Sequence, residues 1–103
     1  MVERGRLAGG DAAPPDGEHT AVLARGAGFV VEQILSGTLA APQEYHQDHD
    51  EWFVVLAGGA VLEVDGVEHE LGVGDWWLLP AGTSHTLVRT EPRTSWLTVR
   101  STD

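Results

Sequence analysis

The strongest indication of the fold is the stretch GDWWLLPAGTSH, residues 74–85. An apolar run lies between a glycine and a proline, two residues that mark turns, and this pattern predicts a short strand over 75–79. The Pro-Ala-Gly turn that follows leads His85 into the next strand. Because alternate residues of a strand face opposite sides, we expect Trp76 and Trp77 to point in opposite directions, one into the core and one against an arm or a partner subunit.

Short β-prone runs separated by turn signals continue along the rest of the sequence. The pair Asp65-Gly66 lies between two alternating runs and predicts a tight hairpin, because a type I′ turn needs positive φ at both central positions. No segment carries a convincing helical period. Turn signals that return about every 8–12 residues are typical of an all-β sandwich or barrel. The other predicted strands are 28–35, 37–41, 51–57, 60–64, 67–71, 84–90 and 94–100.

Composition and length indicate one small domain of 103 residues. Residues 1–18 are rich in glycine, proline and aspartate without a hydrophobic period, which predicts a loose N-terminal arm before a domain over 19–103. The chain has no cysteine, so disulfides, zinc–thiolate sites and thiol catalysis are excluded. No signal peptide and no apolar stretch of about 20 residues is found, and a cytoplasmic location is the default expectation.

The charge of the chain is strongly acidic, with 16 Asp and Glu residues against 6 basic ones and a net charge of −10. Such a surface repels phosphate backbones and anionic lipids, so neither nucleic acid nor a membrane is expected as a partner. The sequence also lacks the glycine-rich dinucleotide and phosphate loops and the G-x-S-x-G nucleophile motif.

The opening stretch resembles the second of the two conserved motifs of the cupin superfamily, G-x5-P-x-G-x2-H-x3-N. Every fixed position matches from Gly74 to His85. The closing asparagine is replaced by Arg89.

A second stretch resembles the first cupin motif, G-x5-H-x-H-x3–4-E-x6-G. Its second half fits Glu51 and Gly58. If four residues separate the second histidine position from the glutamate, the two histidine positions fall on Glu44 and His46. One imidazole is then replaced by a carboxylate.

The resemblance covers about residues 28–100, and the sequence also resembles a subgroup of small single-domain bacterial cupins. It implies an all-β jelly-roll barrel, or double-stranded β-helix, which holds ligands inside the mouth of the barrel.

The residues around the first motif also predict a metal site. If the segment is extended, Glu44 and His46 share a face, and Glu51 and His85 point inward together with the apolar residues of their strands. Imidazole and carboxylate ligands suit Fe, Mn, Ni, Zn or Cu without selecting one. The predicted ligands are His46, Glu51 and His85 with Glu44 as a fourth, and His49 competes for the loop position. In the alternative, the two loop histidines are solvated and Glu51 pairs with His85.

Three further residues are candidates for contacting a substrate: Arg89, Tyr45 and His49. Arg89 falls on the His85 face, where its guanidinium could bind a substrate carboxylate through two hydrogen bonds. The alternative is an ion pair with Glu91 or with another acid at the rim.

Three functions follow as hypotheses. The first is a metal-dependent enzyme acting on a small organic molecule by dioxygenation, isomerisation, decarboxylation or hydrolysis. The second is a non-catalytic domain that binds or senses a small molecule, and the third is a structural cupin with a vestigial site. A homodimer is expected, since one small barrel leaves apolar strands at its edges.

Overall fold

The computed structural model describes residues 2–102, which form two facing antiparallel sheets. One sheet has the order β1-β2-β9-β4-β7 and the other has the order β3-β8-β5-β6. This arrangement confirms the predicted all-β jelly roll. No helix in the described range is long and apolar enough to cross a bilayer. The strands are β1 (Glu18–Gly26), β2 (Phe29–Ser36), β3 (Gln43–His46), β4 (Glu51–Ala57), β5 (Ala60–Val64), β6 (Val67–Leu71), β7 (Trp76–Leu79), β8 (Ser84–Thr90) and β9 (Thr94–Ser101).

The core lies between the inner faces of the two sheets. Phe53 and Val55 of β4 pack there with Leu87 of β8, and the ring of Trp96 meets Phe53 edge to face with their centroids 5.3 Å apart. Along β4 the buried positions alternate, so that Glu51 lies on the same face as Phe53. The inner faces of the sheets therefore carry the apolar core and, next to it, polar side chains such as Glu51.

The predicted hairpin between β5 and β6 is confirmed. Asp65 and Gly66 have φ values of 52° and 78°, and Val64 pairs with Val67 on either side of them. Both central residues are left-handed, as a type I′ turn requires.

The segment 37–41 was predicted as a strand, and that prediction is wrong. Only Thr38 forms an isolated bridge, to Asp16, and the next strand begins at Gln43. The backbone N–H groups of Gly37 and Thr38 donate instead to the carbonyls of Gly17 and Pro15. These two donors bind the N-terminal segment and are therefore not available for a regular ladder.

The N-terminal segment has more contacts with the domain than a loose arm would. The side-chain amide of Gln33 forms a pair of hydrogen bonds, 2.9 and 3.0 Å long, with the backbone of Ala8. Residues 10–12 form a short 3₁₀ helix, and β1 then begins at Glu18 and pairs along the length of β2. β1 was not predicted, because its side chains are mostly exposed and show little alternation.

Candidate functional site

A pocket of about 310 Å³ lies between the two sheets. It combines an apolar wall with a set of polar groups from six strands and the loop before β4, the general make-up of a small-molecule site. The apolar wall consists of Ile34, Phe53, Leu62, Leu87 and Trp96. The polar lining consists of Glu18, Thr20, Glu32, Tyr45, Gln47, His49, Glu51, His85, Thr98 and Arg100.

The register of β3 differs from the one predicted. Tyr45 is half-buried and lines the pocket, whereas Glu44 and His46 are exposed on the outer face of the four-stranded sheet. His46 lies opposite Ser84, and its Nδ1 is 2.8 Å from the serine Oγ. Two of the four predicted metal ligands, Glu44 and His46, therefore point away from Glu51.

The physical reason is the two-residue period of a strand, since a shift of one residue moves every side chain to the other face. The inward positions are Tyr45 and Gln47. Three residues, rather than the four assumed in the sequence comparison, therefore separate the second of these positions from Glu51. In the three-residue form of the first motif, Tyr45 and Gln47 therefore occupy the two histidine positions. Neither residue carries an imidazole.

Glu51 points into the pocket as predicted, next to Gln47. The Gln47 amide Nε2 donates to Oε2 of Glu51 at 3.3 Å. Burial raises the pKa of the Glu51 carboxyl, and the negative charge of Glu32 adds to that rise. The Gln47 hydrogen bond and the imidazoles of His85 and His49 act in the opposite direction without cancelling the rise. This carboxyl group therefore takes up a proton more readily than an exposed glutamate.

His85 is only 8% exposed and also lines the pocket, as predicted. Its Nδ1 lies 3.2 Å from the carbonyl oxygen of Thr83. If Nδ1–H donates to that oxygen, the neutral ring keeps its lone pair on Nε2. The ring stacks on Tyr45 with centroids 5.4 Å apart and planes inclined by 16°.

His49 is also on the pocket wall, although it precedes β4 in a loop. Its Nδ1 is 3.7 Å from Oδ1 of Asp48. Its Nε2 is buried, and no hydrogen-bond partner for it exists among residues 2–102. A buried polar atom without a hydrogen-bond partner lowers the stability of the fold.

A chain of hydrogen bonds fixes Tyr45 in place, and sequence reasoning missed two of its members, Glu18 and Ser36. The Tyr45 hydroxyl donates to Oε1 of Glu18 at 2.9 Å, and the Ser36 hydroxyl donates to Oε2 at 2.6 Å. The Trp96 indole in turn donates to the Ser36 oxygen at 3.0 Å. Burial and the charge of Glu18 raise the pKa of Tyr45, which keeps the phenol protonated. Glu18 belongs to the unpredicted strand β1, so no pattern pointed to it.

An ion pair between Glu32 of β2 and Arg100 of β9 is the other missed feature of the pocket. Arg100 Nε lies 3.0 Å from Oε1 of Glu32, and the two side chains are 30% and 15% exposed. Arg100 also lies directly opposite Glu51 in the β4–β9 register. The Arg100 guanidinium is therefore close to two residues that carry carboxylates, Glu32 and Glu51.

Arg89 does not lie on the His85 face, and this prediction is corrected. A β-bulge interrupts the pairing of β8 with β5 between Leu87 and Arg89, so the alternation changes phase. Thr90 is buried while Arg89 is exposed, beside Glu70 and Glu91 in a separate cleft. No side chain in the described range lies within ion-pair distance of Arg89.

The predicted divalent-metal centre is not assembled by these residues. The four predicted ligands are divided between the inner and outer faces of the sheet. Among residues 2–102 no group of three or more His, Asp and Glu side chains is placed to hold a metal ion. The strong donors that line the pocket are the carboxylates of Glu18, Glu32 and Glu51 and the imidazoles of His49 and His85, whereas Tyr45 and Gln47 fill the motif positions that would complete a centre. The donor set therefore does not fit the predicted site.

Solved structures with the same fold include three that are informative. A Ralstonia eutropha protein provisionally named mannose-6-phosphate isomerase is 29% identical, with a TM-score of 0.78 over 96% of this chain and 100% of that one. A sugar phosphate isomerase of the cupin superfamily from Silicibacter pomeroyi is 27% identical, with a TM-score of 0.58 over 74% of this chain and 52% of that one. An RmlC-like cupin from Shewanella frigidimarina is 20% identical, with a TM-score of 0.70 over 98% and 94%, which shows the fold alone.

No protein of curated function matches this chain. The family model described as "Cupin domain" matches residues 30–100, which is well over half of the chain. Together with the two-sheet architecture and the intact second motif, this match shows that the chain belongs to the cupin domain family.

Proposed function

We propose that this chain binds a small organic molecule in the pocket between its sheets. The observation that carries the proposal is the pocket of about 310 Å³, which is lined by an apolar wall and by the inward-facing Gln47, Glu51 and His85. The raised pKa of Glu51 and the mixed lining support the same interpretation. Metal binding is left out of the proposal because the donor set does not fit, and a cytoplasmic location stays a prediction.

Binding can be tested with variants of two adjacent residues, Gln47 and His46, whose side chains point in opposite directions. A library of small metabolites is screened by thermal shift and then by calorimetry against the wild type. Gln47→Leu should abolish binding of any hit, since Gln47 faces the pocket, and His46→Ala should leave it unchanged. The proposal fails if His46→Ala is the damaging change, or if no compound of the library binds. Metal analysis after reconstitution with Fe, Mn, Ni, Zn and Cu tests the alternative.

Proton transfer is the second candidate function. Glu51 has a raised pKa and shares the pocket with the imidazole of His85, so one group could take a proton while the other supplies one. An aldose–ketose isomerisation needs such a pair to move a proton between neighbouring carbons. The 29% identical Ralstonia protein carries an isomerase name, which favours this class of reaction.

Proton transfer can be measured without knowing the product. Sugar hits are incubated with the protein in deuterium oxide, and uptake of deuterium next to the carbonyl carbon is followed by NMR. Uptake should require Glu51 and fall to background in Glu51→Gln, while Glu44→Gln should behave as the wild type. Equal uptake in Glu51→Gln would remove the catalytic role and leave binding alone.

We also infer that a second copy of the chain covers the outer face of the five-stranded sheet. Trp76 and Leu78 of β7 are 61% and 58% exposed there. They lie opposite Val54 and Trp52 of β4 in the register, so one apolar surface spans both strands. None of these four side chains is charged, so contact across this face buries no charged group, and its apolar area has to outweigh the repulsion between two chains of net charge −10.

Light scattering after gel filtration tests the pairing. The wild type should run as a dimer at micromolar concentration, and Leu78→Glu should be a monomer because a carboxylate would be buried in the interface. Val67→Glu is the control, since Val67 is 55% exposed on the other sheet. A wild-type monomer would contradict this inference.

A further inference from the structure

The charge of the pocket restricts the ligands that it can accept. Three carboxylate side chains line it, those of Glu18, Glu32 and Glu51. All six basic residues of the chain are arginines, and Arg100 is the one that lines this pocket. The pocket therefore carries more acidic than basic side chains around a volume of about 310 Å³.

The one guanidinium in the lining is already neutralised. Its Nε donates to Glu32 at 3.0 Å in a partly buried ion pair, and it lies opposite Glu51 on the neighbouring strand. A phosphate group would have to compete with Glu32 for Arg100 and also approach Glu51 and Glu18. Like charges in a partly buried space repel more strongly than in water, so both steps disfavour an anion.

The remaining lining suits an uncharged ligand with several hydroxyl groups. Gln47, Thr98 and the carboxylates offer hydrogen-bond partners to hydroxyl groups. Phe53 and Trp96 contribute apolar atoms to the same wall. The volume is at the lower end of the range for small-molecule sites, which favours a ligand the size of a monosaccharide.

We propose that the pocket selects an uncharged or cationic polyhydroxylated molecule over its phosphate ester, and that Glu32 is the specificity-determining residue because it neutralises Arg100. This inference rests on the proposed function and names the ligand class of the same pocket. It departs from the sugar-phosphate names that two of the structural relatives carry.

The test compares a sugar with its own ester. Binding of mannose, mannosamine and mannose 6-phosphate to the wild type is measured by calorimetry. Mannose or mannosamine should bind, and mannose 6-phosphate should bind at least about tenfold more weakly. Equal or tighter binding of the ester to the wild type overturns the inference without any variant being needed. If none of the three sugars binds, the proposed ligand class is also overturned. The proposed function is tested separately by the library screen.

Glu32→Gln provides the second arm, because it removes the charge that neutralises Arg100 while keeping a similar shape. The affinity for mannose 6-phosphate relative to mannose should rise at least about tenfold in this variant. Glu44→Gln removes a carboxylate outside the pocket and should leave the ratio unchanged. An unchanged ratio in a folded Glu32→Gln protein would overturn the role of Glu32.

Discussion

The substitution Ser36→Ala tests whether the hydrogen-bonded chain behind Tyr45 supports the pocket. Ser36 is fully buried, donates to Glu18 at 2.6 Å and accepts from the Trp96 indole at 3.0 Å. Alanine would leave a buried N–H without a partner, which costs about 1–3 kcal/mol, and would remove a bond to a charged group worth about 1.5–3 kcal/mol. Because Glu18 is partly exposed and can regain water, we expect a total loss of about 2–4 kcal/mol.

Urea unfolding followed by tryptophan fluorescence measures this loss, with the midpoint compared at unchanged slope. For a domain of this size each kcal/mol also lowers the melting temperature by about 4–8 °C. Ser84→Ala is the matched control, because that serine also contacts a side chain, His46, but both are exposed. A loss of stability in Ser36→Ala no larger than that in Ser84→Ala would show that the buried hydrogen bonds of Ser36 do not support the fold around the pocket.

Two further predictions concern pH and the backbone. The raised pKa of Glu51 means that the folded state keeps its proton at pH values where the unfolded state has lost it, so stability falls as pH rises from the ordinary glutamate pKa through the raised one. Glu51→Gln should therefore raise the melting temperature above that window and not below it, and a gain independent of pH would contradict the assignment. Gly58→Ala should destabilise the fold by about 1–3 kcal/mol, since Gly58 has φ of 76° and a Cβ there would crowd Thr94. Gly28 has φ of 83°, but a Cβ there would meet no neighbouring atom, so Gly28→Ala should lower the free energy of unfolding by less. Equal losses in the two variants, measured by denaturation, would exclude crowding as the cause.

The sequence predicted the parts of the fold where pattern and turn chemistry agree. The Asp65-Gly66 hairpin is one case, since few residues tolerate left-handed backbone at two successive positions. The inward direction of Glu51 and His85 is another, because each shares a face with buried apolar residues, Phe53 in one strand and Leu87 in the other. Where one face of a strand is apolar, its register is readable from the sequence.

The register of β3 could not be read in this way. The segment around it, QEYHQDHD, is polar on both faces and contains one aromatic residue, so the sequence does not set the phase of the alternation. That phase decides whether Glu44 and His46 or Tyr45 and Gln47 face inward, and with it the identity of the candidate site. The bulge in β8 that turns Arg89 outward likewise depends on pairing with β5, a partner distant in sequence.

The most direct test of the account follows each histidine separately while a ligand binds. Ring ¹⁵N chemical shifts are recorded during a titration with mannosamine, with signals assigned by the single variants His46→Ala, His49→Ala and His85→Ala. We predict that the rings of His49 and His85 respond, because both line the pocket, and that His46 stays unchanged on the outer face. A response of His46 together with silence of His85 would contradict the central claim that ligands bind between the sheets beside Tyr45, Gln47 and Glu51.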